Sequence, residues 1–189
     1  VFVTSSAFES NGNLGGLGGG DDLCNDAAAA GSLSGSWTAW LSDTSADALD
    51  RIPDAEYRRL DGVVVANSLS DLTDGSLDNP IDVDENGDSV DPSNVWTGTL
   101  TDGTAGLSHC SNWTSDTGVT CIPGVANANC ATKGSSDAVD GEWTREPAPG
   151  VCAATRALYC FSESMMVSDP IFEDGFESGN TSEWADSQP

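Results

Sequence analysis

Apolar residues along this chain fall in short bursts separated by Gly, Ser, Asn and Asp, rather than on long periodic faces. The opening run VFVTSSAF, residues 1–8, is β-branched and apolar enough for a first strand, and the polar ESNGN after it ends the run. A glycine-rich stretch, Gly15 to Gly20, leads into a predicted helix that Asp21 or Asp22 can cap, four alanines (Ala27–Ala30) extend, and Gly31 stops. Trp37–Leu41 reads as a strand. SADALDRI reads as a second short helix starting near Ser45, and helix content is expected to stop there. Beyond Tyr57 the strand candidates are DGVVVANSL, VWTGTL and ALYCF, punctuated by DG, NG and PG turns. The pattern predicts an α+β chain with long irregular loops.

Length and composition narrow this picture. The 189 residues, 38% of them hydrophobic, suffice for one real core with appendages. With 31 acidic residues against six basic ones the formal charge is -25, which repels polyphosphates and anionic membranes; nucleic acid is excluded as a partner. No segment is long and apolar enough to span a bilayer. The start at Val1, without a basic leader region, is expected of a mature secreted chain. Six cysteines with no CxxC pair, beside a single His, point to disulfides in an oxidising compartment rather than to zinc or haem. Composition leaves open which cysteine pairs with which. The loop-like stretch from Ser111 to Pro149 would suggest disorder, but Cys110, Cys121, Cys130 and Cys152 tie it down. Past Phe161 the chain becomes acidic, with apolar residues at Ile171, Phe172, Phe176 and Trp184. Residues 1–164 therefore read as the domain and 165–189 as a C-terminal tail.

The order of the first strand, GLGGGDDLC around Cys24, AAAAGSLSGSWTAWLS, LDNPI at 77–81, VWTGTLTDGT at 95–104, HCSNW at 109–113 and ALYCF at 157–161 resembles the endostatin domain of collagens. It is similar also to bacterial lectin-like domains, the leptospiral endostatin-like surface proteins among them. The resemblance implies a C-type-lectin-like α+β single domain with nested disulfides, Cys24 with Cys160 outside Cys110 with Cys152, which leaves Cys121 to pair with Cys130. Closing the long outer loop is worth roughly 4–5 kcal/mol in the chain-entropy account. Endostatin's basic heparin face and N-terminal zinc histidines have no counterpart here. The tail from Asp174 to Trp184 resembles the DGFESGDTSAW-like ends of many secreted bacterial proteins.

Candidate chemistry is sparse. Asp82, Asp84, Asn86 and Asp88 place side-chain oxygens at alternate positions around Gly87, like the first half of a calcium loop. The twelfth position of such a loop is Ser93 rather than Glu, so a solvated acidic turn is the competing reading. Sugar-binding triplets are approached only by Asp78-Asn79-Pro80 and Asn112-Trp113. The tryptophans within the family-like segments are expected in the core. His109 beside Cys110, with Ser108 and Ser111 near it in sequence, is not a triad, and no enzyme is expected. The expectation is a non-catalytic, secreted or cell-surface protein. It associates with copies of itself through Ile171, Phe172, Phe176 and Trp184; the alternative is a lectin-like adhesin for a glycan or extracellular-matrix protein, and calcium is the only cofactor in view.

Overall fold

The computed structural model describes residues 1–162. Among them run the short strands β1 (Phe2–Val3), β2 (Trp37–Ala39), β3 (Tyr57–Arg58), β4 (Val64–Ala66), β5 (Asn94–Trp96), β6 (Cys130–Ala131), β7 (Lys133–Ser135) and β8 (Gly150–Val151), then the longer β9 (Ala157–Ser162). Two right-handed helices accompany them, α1 (Leu17–Ala30) and the single turn α2 (Leu69–Leu72). The expected boundary between 164 and 165 lies outside the described residues, as do the tail residues Ile171, Phe172, Phe176 and Trp184.

The apolar run ALYCF explains the centre of this α+β fold. A strand without polar alternation must be buried on both faces, and in β9 every residue from Ala157 to Phe161 is. Ala157, Tyr159 and Phe161 join Trp40, Trp143 and Tyr57 in one apolar cluster. Leu158 and Cys160 point into another with Phe2, Trp37, Trp96 and Trp113. β9 also pairs antiparallel with β1, Phe2 opposite Cys160, and with β2, Ala39 opposite Cys160. It runs parallel to β5, Trp96 opposite Leu158, and β7 extends the sheet antiparallel to β5. The pairs β3–β4 and β6–β8 stand apart from this sheet.

Helix α1 covers one face of the sheet with small residues, Gly20, Cys24, Ala27 and Ala28. A β-carbon on Gly20 would come within 2.5 Å of Leu41 Cδ1, so the helix lies too close to the sheet for larger side chains. Cys24 is thereby brought to Cys160. The other disulfides join Cys110 to Cys152 and Cys121 to Cys130, the same pairs that the resemblance implies.

Several expected elements differ. The first strand shrinks to Phe2–Val3, because the chain turns into a 3-10 turn at Ser6–Phe8. Helix α1 begins at Leu17, and neither Asp21 nor Asp22 caps it. Asp21 instead accepts both Nη2–H bonds of Arg51 at 2.7 Å and the Ala39 N–H at 2.9 Å. Arg51 also donates to the Ala39 and Leu41 carbonyls. This partly buried pair ties α1 to β2, and a tertiary partner has outcompeted the local cap. SADALDRI forms only the 3-10 turn Ala48–Asp50; Ser45 Oγ donates to Asp43, and Ser42 Oγ accepts from Ala48 N. Helix content resumes in α2, where Ser68 Oγ accepts from Asp71 N and ends the strand expected through Leu69.

The only two tyrosines of the sequence, Tyr57 and Tyr159, are both buried. Burial, with Asp54 adding to it, pushes the Tyr57 phenol up to about 12. Burial pushes Tyr159 well above its ordinary 10. Because both folded-state values are raised, this stabilisation is complete below pH 10 and is lost as pH climbs above it, the Tyr57 share through about 12. In an alkaline absorbance titration, phenolate should appear only together with loss of near-ultraviolet circular dichroism. A reversible phenol titration near pH 10 in the folded protein would contradict this packing.

Candidate functional site

A concavity lined largely by apolar side chains lies at the end of β9. Tyr57 starts the hairpin β3–β4, its ring meeting Phe161 edge-on at 5.3 Å and 83° while its hydroxyl donates to the Pro53 carbonyl. Asp61-Gly62 makes the turn, with Gly62 at φ 86, a conformation glycine adopts without penalty. A register shift between Tyr57 and Arg58 then leaves Tyr57 buried and Arg58 exposed. Between this hairpin, β9 and the segment after α1 opens a groove of about 720 Å³. Leu33, Trp37, Pro53, Ala55, Leu60 and Phe161 line it. That volume is within the range of about 300–1,000 Å³ typical of binding pockets.

Charge enters at the groove's border. Arg58, Arg59 and Glu56 face it. Arg59 is held by Asp61 at 2.6 Å and by Asp82. The hydrogen bond that Arg59 donates to Asp61, with Asp82 behind it, raises the Arg59 guanidinium above its already high range. Arg58 pairs with Glu56, both side chains nearly half exposed, and its Nη1–H donates to the Gly62 carbonyl at 2.9 Å. Such an ion pair contributes about 0–1 kcal/mol and exchanges readily with another carboxylate.

In the acidic turn two of the candidate carboxylates, Asp82 and Asp84, have partners within the protein. Asp82 is turned to Arg59. Asp84 accepts from the backbone N–H of Asn86 at 2.9 Å and of Asp88 at 3.1 Å, closing the turn. Buried Glu85 accepts from Ser5 N at 2.8 Å. Among the described residues no group of three or more His, Cys, Asp or Glu is arranged to hold a metal ion.

Sequence reasoning missed a second feature. Cys110, Ser111, Asn112 and Trp113 all have positive φ, between 48° and 60°, forming one left-handed turn of non-glycine residues. Each costs about 1–2 kcal/mol relative to a right-handed conformation. Disulfide Cys110–Cys152, Trp113 Nε1 donating to the Ser42 carbonyl, and three backbone N–H groups (Leu14, Gly15, Gly16) converging on the Trp113 carbonyl hold it. The same turn occupies the groups nearest to a catalytic reading. His109 Nδ1 accepts from Asn112 N, Ser111 Oγ donates to the Ala128 carbonyl, and Ser108 Oγ accepts from Asn127 N. The five tryptophans of the described residues are all buried, so none offers an open stacking face.

Residues 7–132 match the model of a family described as "Protein of unknown function (DUF1554)". No curated protein matches the chain. The matched stretch contains the groove's hairpin and ends before β9, the strand against which that hairpin packs.

Removing the Asp84 carboxylate should cost about 1–3 kcal/mol, because two turn N–H groups lose their acceptor. Asp84→Ala should therefore melt at lower temperature, and millimolar calcium should raise the melting point of the wild type no more than an equal ionic strength of sodium chloride. A calcium-specific rise that Asp84→Ala removes would return this loop to calcium.

Proposed function

We propose that this chain, which belongs to the DUF1554 family, is a non-catalytic extracellular domain of the C-type-lectin-like, endostatin-like kind, and that it works by associating with other copies of itself through the groove at the end of β9. The apolar groove bordered by Arg58 carries this reading. In a chain of net charge -25 it is a place where apolar contact and positive charge meet, which suits an apolar, acidic protein segment. Three disulfides are compatible with an oxidising, extracellular setting, and no described helix is long and apolar enough to cross a membrane. The non-catalytic part of the proposal draws on the engagement of the sequence's one imidazole within its own turn and on the absence of free thiols.

Salt separates self-association from binding to a basic partner. Two copies of a strongly acidic protein repel at long range, so screening should favour their contact, whereas it weakens attraction to a cationic partner. Sedimentation velocity should show the average particle mass rising with protein concentration and with sodium chloride. Leu60→Asp, which puts a carboxylate on the groove wall, should remain monomeric while keeping the native near-ultraviolet spectrum. A monomer under all conditions, or assembly that falls with salt, would overturn the proposal in favour of a monomeric adhesin.

A further inference from the structure

Strand pairing gathers reactive side chains around one buried ring. Asn94 and Trp96 are two apart in β5 and so share a face of the sheet. Lys133 of β7 stands opposite Trp96, and Ser135 opposite Asn94. Lys133 and Asn94 are therefore diagonal neighbours, about 7–8 Å apart at the backbone, a gap that a lysine side chain spans. The Lys133 Nζ–H donates to Asn94 Oδ1 at 2.6 Å. Glu146 is set beside them by its own backbone, whose N–H donates to the Lys133 carbonyl at 2.8 Å, and its carboxylate meets Lys133 Nζ directly.

These are the parts of an acyl transfer. A lysine amine attacks a carbonyl carbon only when it is neutral. Lys133 is 8% exposed, and burial, with the Arg156 charge adding to it and Glu142 opposing, lowers its amine to about 8. Asn94 Cγ lies one carbonyl bond, about 1.2 Å, beyond Oδ1. It is thus no more than about 3.8 Å from the amine, a small motion from the about 3–3.5 Å of a reactive approach. The Glu146 carboxylate, in contact with the attacking nitrogen, is placed to take its proton. Arg156 stacks 4.7 Å over the Trp96 ring, its Nε buried without an acceptor among the described residues. Its positive charge favours the negative oxygen that attack creates on Asn94. Asn94 is exposed at the start of its strand, which leaves departing ammonia an exit to solvent.

We propose that Lys133 and Asn94 join in an intramolecular amide bond, with Glu146 as the proton carrier. Nζ bonds to Cγ while Glu146 accepts one proton from Nζ. The tetrahedral intermediate then expels the Asn94 amide nitrogen, which takes that proton and leaves as ammonia. The linkage keeps every other atom of the pair and needs no oxidant, cofactor or external substrate. It forms once per chain, so it is a maturation step rather than turnover, and it stands independently of the groove. Its consequence is mechanical: β7, the last strand of the sheet and three residues long, is fixed covalently to β5.

The test is the intact mass of the full chain, folded with its disulfides and then unfolded and reduced for measurement. Expected is a mass about 17 Da below that of the sequence, one ammonia per chain, and on proteolysis a branched peptide joining Asn94 to Lys133. Lys133→Arg and Asn94→Ala should each have the full mass of their own sequences. Glu146→Gln should form the bond at least about a hundredfold more slowly while keeping the native near-ultraviolet spectrum; formation at the wild-type rate would overturn the role of Glu146. The full sequence mass in wild-type protein with a native spectrum would overturn the bond itself, whatever the variants do. So would a loss of about 18 Da mapped to Lys133 and Glu146, since water rather than ammonia has then left. A gain of about 1 Da at Asn94 without a branched peptide would overturn it too, because water rather than Lys133 has then attacked.

Discussion

Burial of β9 on both faces is the constraint from which the rest of this domain follows. Its odd-numbered residues pack with the Trp40–Trp143 cluster and its even-numbered ones with the Phe2–Trp96–Trp113 cluster. Its backbone holds β1, β2 and β5. None of those partners exceeds three residues, too short to persist alone. Cys160, in the same strand, reaches across to Cys24 of α1, and a loop of 136 residues closed in this way removes about 5 kcal/mol of unfolded-state entropy. Chain segments from the beginning, middle and end of the sequence thus meet on one element. The groove inherits its geometry from that meeting, since Phe161 is at once the end of the core strand and the floor on which Tyr57 rests.

The parts of this architecture that depend on local chemistry were legible. ALYCF reads as a strand and Gly31 as the end of α1, and both hold, whereas the strand expected from Asp61 starts only at Val64 because Asp61-Gly62 turns the chain. The α+β class follows from the same signals. Where a residue's partner is remote, the local signal misleads. Asp21 looks like a cap yet faces Arg51 thirty positions on, so α1 runs a turn earlier than its acidic pair suggests. The left-handed turn at Cys110–Trp113 leaves no propensity signal, because its cost is met by a disulfide and by donors from Leu14 to Gly16. What betrays it, once the fold is known, is the glycine at each close approach: a β-carbon on Gly98 would lie 2.7 Å from Trp113, and one on Gly12 only 2.4 Å from Cys110 Sγ.

The groove was beyond sequence reasoning for the same reason. Its walls come from residues near 33, from 53–60 and from 161, which no periodicity links. The acidic turn shows the converse: of its alternating oxygens, those of Asp82 and Asp84 serve Arg59 and the turn's own amides. The acidic surplus itself is not a site. Its physical consequence is long-range repulsion between copies, which any association must overcome through a short-range apolar contact, and the groove offers one.

Hydrogen–deuterium exchange on the intact, oxidised protein at dilute and concentrated limits tests that contact most directly. If copies meet at the groove, amides of 55–63 and of the end of β9 gain protection on concentration, while those around Leu107 and Val125, on the exposed apolar surface elsewhere, stay unchanged. Protection gained at Leu107–Val125 and not at 55–63 would contradict the account.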